Sequence, residues 1–362
     1  VLQLVIVLGD FYVSQETPER ELPAGVALPG LRHATRFAAR TGISGGWRSW
    51  LSRYLTGRDG EAAATVATAG MSITSAAAGR AAGSLHPLAE ARSIADARPT
   101  VALMATPVNL IAGMTSIHLD RRGILRLDAN DQAALAADFH RVFHDSGFSL
   151  QPLAAGDFVL LGPQMPIAEI PEPARLLGAS IVDARNAGAA NAALLRLGAE
   201  VEMWLHDHAV NDARRRRGEQ PVTALWLWGG GPVPTASTNA EVSQSHIAFA
   251  RDSYVDGLWA SACGAKVFSL PERLEDVFGY PHAQRALLVV EIGLMLQSNP
   301  SWTFFDAVAH LDRTFVVPAI EALSRGRYER LVILANDYEF TLRARDRLKI
   351  WRRPRPGLSG LQ

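Results

Sequence analysis

Cysteine is almost missing from this 362-residue chain, in which Cys263 stands alone. One thiol excludes an intramolecular disulfide and any multi-cysteine zinc or iron–sulfur site, and such usage fits a reducing compartment. Cys263 is expected to be a buried thiol. Net charge is missing too: 36 Lys and Arg offset 36 Asp and Glu. No overall field therefore draws the chain to nucleic acid or to an anionic membrane surface. The local basic clusters, Arg214 to Arg217 and Trp351 to Pro356, read as a solvated helix end and a tail. No apolar run is long enough to span a membrane. Val1 to Leu8 is too short, lacks a basic lead-in and runs into Gly9 and Asp10, so it reads as the first strand of a cytoplasmic protein. The P-loop, the G-x-S-x-G elbow, the H-E-x-x-H pair and the G-x-G-x-x-G fingerprint are absent as well, and no cofactor is expected.

What the chain has is apolar bulk. A hydrophobic fraction of 48% supports one large α/β domain or two smaller ones and excludes disorder. The pattern predicts a strand at Leu2–Leu8, then mostly helix from about Gly30 to Ala97. A strand at Thr100–Val108 follows, with short extended pieces at Ser116–Leu119 and Ile124–Leu127 around a DRRG turn. Asp131–Phe143 reads as a helix, and Phe158–Leu161 and Ser180–Val182 as strands flanking a proline-rich linker. Beyond it come a helix at Ile247–Ala262, strands at Lys266–Ser269 and Leu287–Ile292, a helix at Phe304–Arg325 and a strand at Arg330–Ala335. Such alternation argues for a mixed or parallel sheet covered by helices.

The densest signal is EMWLHDHAVNDARRRRGEQPVTALWLWGGGP, Glu202 to Pro232. Leu194, Leu197, Val201, Trp204, Leu205 and His208 recur at three- and four-residue spacing, predicting one helix from about Asn191 to Arg217 with His208 inward. His206 then lies roughly 200° away around that helix, so the two histidines cannot share a metal unless the helix ends early. Val222 to Trp228 reads as a buried strand with Trp226 and Trp228 on one side. Gly229, Gly230 and Gly231 are expected to form a loop whose backbone N–H groups donate to a small anion. His208, Asn211 and Arg214 would complete that pocket, although a buried histidine more often serves packing and hydrogen bonding.

Other polar groups form weaker constellations. Asp10 ends the first strand, where open α/β sheets place ligands. Asp306 and His310 share a helix face at metal-ligand spacing, but an ordinary amphipathic helix yields such pairs by chance. Asp337 ends the last strong strand without an adjacent histidine. Ser72, Thr74 and Ser75 offer hydroxyls with no identifiable base.

The run from Leu205 to Gly231, LH-x-H-x-VN-x-x-R-x-x-R-G continuing into PV-x-x-LWLWGGG, resembles the RpfE-type regulatory proteins of xanthomonads and related proteobacteria. LVIVLGD, LPGLRHATRFA, ATPVNLIAGMTSIHL, LDANDQAALAADFH and KIWRRPRP agree with it, and Thr223 replaces an expected asparagine. The resemblance implies a non-catalytic regulator of pathogenicity that influences extracellular enzyme and exopolysaccharide production. More distantly, the chain is similar to archaeal-type cofactor-independent phosphoglycerate mutases, which have an alkaline-phosphatase-like fold and a W-x-WG-x-G segment. That likeness implies an alternative: a phosphomutase or phosphatase holding divalent metal at Asp10 and Asp337. In that family an Asp-Gly and an Asp-His carry the metal, whereas here Phe11 follows Asp10 and Tyr338 follows Asp337. The expected architecture is a degenerate alkaline-phosphatase-like α/β sheet covered by helices. Residues 1–29 and 162–362 form its core, and 30–161 an inserted, mostly helical cap lobe. The expected partner is a small anionic ligand bounded by His208, Asn211, Arg214, Trp226, Trp228 and Gly229–Gly231. A protein partner is the third reading.

Overall fold

The computed structural model describes residues 2–12, 23, 25–56, 100–113, 116–165, 170–178, 181, 192–233, 246–263, 265–280, 283–349 and 351. They build two sheets with helices around them, a mixed α/β architecture. The first sheet contains β1 (Gln3–Gly9), β2 (Ala39–Gly42), β8 (His246–Phe249), β9 (Arg285–Glu291), β10 (Arg330–Ala335) and β11 (Tyr338–Leu342), in the order β2-β11-β10-β1-β9-β8. The β10, β1, β9 and β8 strands are parallel, with Val5 opposite both Val332 and Leu287. Apolar side chains cover both faces of this parallel part, which is why these strands read as near-continuous hydrophobic runs. The β11 and β2 strands close one side antiparallel.

The second sheet is antiparallel. Its long strand β3 (Val101–Ala112) pairs with β4 (Ile117–Ile124), β6 (Phe158–Gly162) and β7 (Ala224–Pro232), while β5 (Ser149–Pro152) pairs with β6. Strand alternation sorts the core into layers. Leu4, Ile6 and Leu8 pack with Leu31 of α1 (Pro29–Phe37), Leu311 of α8 (Phe304–Leu311) and Phe315. Val5 and Val7 point the other way, into a cluster with Trp47 and Leu51 of α2 (Gly46–Thr56) and Trp259 of α6 (Ser253–Cys263). Met104, Trp226 and Trp228 of the second sheet share it. Beneath that sheet, Leu225 packs with Phe139 of α3 (Ala129–Val142) and Leu205 of α4 (Ala192–His206).

Several sequence expectations need correction. The helix expected over 191–217 is two, α4 and α5 (Ala209–Arg216). His208 adopts an extended backbone between them, and its Nδ1 accepts from the Val210 N–H, capping α5. The glycines after Trp228 do not leave the sheet. β7 runs through them to Pro232, and the register shifts where two residues, Gly229 and Gly230, oppose Leu103 alone. Gly229 takes φ +60 there, so the glycine freedom serves a β-bulge. The DRRG segment stays within β4 but bulges out of the ladder: Val108 pairs with Ile124 and Leu110 with Leu119, so its four residues oppose Asn109 alone. Gly123 permits this, since a Cβ on it would lie 2.7 Å from the Asn109 carbonyl oxygen. Residues 246–249 form β8 before α6 begins at Ser253, and Lys266–Ser269 yields only a bridge between Phe268 and Phe249. The segment 30–161, expected as a mostly helical lobe, supplies β3 to β6 of the second sheet and also β2 of the first; β7 comes from outside it. Among the described residues, no helix is long and apolar enough to cross a membrane.

One buried contact ties the sequence ends of the first layer together. Helix α1 has no side-chain cap of its own. Asp312, at the start of a π-helical turn over Asp312–Val316, supplies it instead, accepting from the Gly30 and Leu31 N–H groups at 3.0 and 2.6 Å. A Cβ on Gly30 would lie 2.7 Å from Asp312 Oδ1, so only glycine permits this approach. Asp312→Ala should lower the unfolding free energy by about 1–3 kcal/mol, because two buried donors lose their acceptor. Asp312→Asn should lose less, and urea titration of both variants checks the order.

Candidate functional site

The carboxyl ends of parallel strands are where open α/β sheets place ligands. Here all four ends carry acids: Asp10 after β1, Asp252 after β8, Glu291 closing β9 and Asp337 after β10. The turns are strained. Asp10 and Asn336 take φ +58 and +52, left-handed conformations that cost a non-glycine residue about 1–3 kcal/mol and cluster at functional sites. Asp10 lies under the start of α7 (Ile292–Ser298), where a Cβ on Gly293 would come within 3.1 Å of Asp10 Oδ2.

Arginines from other parts of the fold meet these acids. Arg48 of α2 bonds to Glu172 and, at 2.7 Å, to Asp252. Its guanidinium lies 4.1 Å from the Trp47 ring centroid, 5.1 Å from that of Trp228 and 5.9 Å from that of Tyr254, a partly aromatic cage. Asp252 also accepts from the Val255 N–H at 3.0 Å, capping α6. Arg126, from the connection between β4 and α3, reaches Glu291 at 2.7 Å and Asp157 at 3.5 Å. Asp157 in turn accepts from the Ser253 hydroxyl. Arg175 forks onto Asp337, with contacts of 3.1 and 2.5 Å.

Charge counting governs the buried part. Asp10, Asp157, Glu172, Asp252 and Glu291 line one cavity with only Arg48 and Arg126 as cations. All five carboxyls cannot ionise there without a large uncompensated charge. Burial pushes Glu291 up to about 8 against the pull of Arg126, with Asp10 and Asp252 adding repulsion. It pushes Asp10 up to about 6. Burial acts on Asp252 too, but Arg48, Arg126 and the Val255 N–H outweigh it and hold that carboxyl below its ordinary range. The cavity among these side chains has room for about 20 Å³, on the scale of one water molecule.

The divalent metal implied by the phosphoglycerate mutase likeness does not fit these residues. Among the described residues, no three His, Cys, Asp or Glu side chains gather as a metal site. The strand-edge carboxylates are turned onto guanidinium groups instead: Asp337 onto Arg175, Asp252 onto Arg48, and Glu291 onto Arg126.

The expected site residues divide across the second sheet. Trp226 and Trp228 do share one face, toward the first sheet. Trp228 lines the charged cavity and donates to Thr106 Oγ1 at 2.8 Å. Trp226 donates to the Pro171 carbonyl at 3.0 Å, beside Glu172. His208, Asn211 and Arg214 lie with the helices on the other face. Asn211 is consumed by Leu205 and Val222, donating to both carbonyls and accepting from the Val222 N–H. Arg214 pairs with Asp131 at 2.9 Å and Glu219 at 3.1 Å. His208 Nε2 is 3.4 Å from Asp138, and burial lowers its pKa. The early helix end does not unite the histidines, because the His206 side chain is 81% exposed. Asp306 completes a capping box with Thr303, and the His310 ring packs on Trp302. Ser72, Thr74, Ser75, the Cys263 side chain and the tail after Trp351 lie outside the described residues.

Sequence reading missed Arg48, Arg126, Asp157, Glu172, Asp252 and Glu291. Glu291 had a signal: it ends the apolar run ALLVV, as Asp10 ends LVIVLG. The others show none, since their partners lie far away in the chain.

No family model and no curated protein matches the sequence. Among solved structures, the chain is similar to a cofactor-independent phosphoglycerate mutase from Thermoplasma acidophilum, at 15% identity and a TM-score of 0.38 over 94% of this chain and 89% of that one. It is also similar to the PH0037 protein from Pyrococcus horikoshii, at 10% identity and a TM-score of 0.43 over 95% and 88%.

The raised pKa of Glu291 sets a pH dependence. Its folded form keeps a proton that the unfolded chain releases near 4.5, so this stabilisation is complete below that pH and lost as pH rises toward about 8. The slope is at most about 1.4 kcal/mol per pH unit. Urea midpoints should therefore fall with rising pH across this window more steeply in the native protein than in Glu291→Gln. Equal slopes would show that Glu291 ionises normally.

Proposed function

We propose that this protein is a non-catalytic binding protein whose fold carries a disabled strand edge, and that it acts as a regulator through a small anionic ligand. The observation that carries this reading is the occupation of three of the four strand-edge carboxylates, Asp252, Glu291 and Asp337, by Arg48, Arg126 and Arg175. A guanidinium neutralises a carboxylate but offers no exchangeable coordination position and cannot lower the pKa of a bound water. The remaining space among the buried groups is too small for a metabolite. Ligand binding therefore belongs elsewhere on the surface, and Arg214, the one expected ligand-site cation, lines a larger cleft. The sequence resemblance to RpfE-type regulators supports a role in controlling extracellular enzyme and exopolysaccharide production.

The rival reading, a metal-dependent phosphomutase or phosphatase using Asp10 and Asp337, draws on the position of both residues at the strand edge and on the strained turn at Asp10. One measurement separates the two. Protein incubated with manganese and zinc and then desalted should retain no ion by mass spectrometry, and should release no phosphate from phosphomonoesters above buffer. About two retained ions per chain, or manganese-dependent turnover lost in Asp10→Asn, would establish the rival.

A further inference from the structure

We propose that the cleft between the β4–α3 connection, the turn after α5 and the end of α7 binds a small organic dianion, a phosphate monoester or a dicarboxylate, through Arg122 and Arg251. The inference rests on the binding role proposed above and gives it a place and a chemistry. The cleft encloses about 550 Å³, a volume typical of small-molecule sites.

Its four arginines are not equivalent. Arg214 is paired with Asp131 and Glu219, and Arg126 with Glu291 and Asp157, so neither has charge to spare. Arg122 and Arg251 have no carboxylate partner among the described residues. Arg122 is fixed by backbone: its Nε donates to the Leu296 carbonyl at 3.4 Å, and its Nη2 donates to those of Pro300 and Trp302 at 3.1 and 2.6 Å. Carbonyl dipoles orient the guanidinium without cancelling its unit charge. They also leave Nη1 without a partner among the described residues. Arg251 is exposed and makes no ion pair or hydrogen bond among them. The carboxylates that share the cleft, Asp128 and Glu219, lie against Arg217 and Arg214. Two guanidinium groups without a carboxylate partner on one concave surface favour a doubly charged oxyanion, which Arg251 can bind by its fork and Arg122 by its Nη1 N–H groups. The half-buried Leu294 lines the same cleft and gives the ligand's carbon body an apolar wall.

The test is calorimetric titration of the full chain in EDTA with inorganic phosphate, glycerol 2-phosphate and malate. We expect one organic dianion to saturate and to bind about tenfold more tightly than inorganic phosphate, since only it reaches the apolar wall. Preference for glycerol 2-phosphate identifies a phosphate monoester, and preference for malate a dicarboxylate. Arg251→Ala should weaken binding about tenfold or more while leaving the thermal midpoint unchanged, because this exposed side chain makes no ion pair or hydrogen bond among the described residues. Arg122→Lys, which keeps the charge but loses the Nη1 donors that the backbone carbonyls orient, should weaken it as well. No saturation by any of the three, or unchanged affinity in Arg251→Ala, would overturn the proposal. EDTA removes metal at the strand edge from the measurement. Binding that persists in a protein later found to turn over with manganese would thus sink the non-catalytic reading and keep this site.

Discussion

The pairing of two guanidinium groups with four of the five carboxyls inside a nearly dry cavity is the constraint on which the rest of the architecture depends. Arg48 comes from α2, Arg126 from the connection leaving the second sheet, and Glu172 from the segment that Trp226 anchors through Pro171. Their partners Asp252 and Glu291 stand on the first sheet's edge. Docking the second sheet on the first and neutralising the edge are therefore one event. A buried pair that loses one partner costs about 3–5 kcal/mol, so neither layer can shift without exposing an unpaired charge to a low-dielectric interior. Apolar packing between the layers, with Trp47, Trp228 and Tyr254 at its centre, also forms the aromatic wall around Arg48. The polar and apolar parts of the interface fix each other.

This dependence explains why strain persists at the strand ends. A left-handed aspartate or asparagine reverts unless its surroundings over-determine it. Asp10 is pinned between β1 and the start of α7, where a Cβ on Gly293 would crowd its carboxyl at 3.1 Å. Asn336 is pinned because the tight turn from β10 to β11 must return antiparallel while presenting Asp337 to Arg175. The geometry is that of an edge built to present acids, yet three of its four acids, Asp252, Glu291 and Asp337, are committed to fixed organic cations. Protonation does the remaining neutralisation: burial raises Asp10 and Glu291, while Asp252, held by Arg48, Arg126 and the Val255 N–H, stays ionised.

Arg126 occupies a singular position in this scheme, since it lines both the buried cavity and the open cleft. Its side chain is 7% exposed, and its Nε has no partner among the described residues. The charge cluster and the cleft are thus separated by one side chain rather than by a layer of packed residues. Coulombic influence across a single guanidinium in a poorly solvated region is much less screened than across solvent, so charge in either space acts on the other.

How much of this was legible in the sequence follows from the range of each interaction. The β1, β9 and β10 strands are apolar runs bounded by charged residues, a local pattern that survives folding because these strands are buried on both faces. The alternation of Trp226 and Trp228 with Leu225 and Leu227 likewise fixed which side of β7 faces inward. Local pattern failed where a side chain overrode it. The apolar stripe crosses the α4–α5 boundary without interruption, and only the His208 cap reveals the break. Three glycines look like a loop until β3 supplies a partner for every residue around the bulge. The charged site was least legible of all. Arg48 and Asp252 are 204 residues apart, and Arg126 and Glu291 are 165 apart. In a chain with 36 cations and 36 anions, no spacing rule can say which pair will meet. Strand order decides it: β1 lies between β9 and β10, so three acids that are remote in sequence stand along one edge. Sequence reading could place Asp10 at a strand end. What neutralises that edge is set by the packing of the second sheet, and it turns a plausible metal edge into an arginine-filled one.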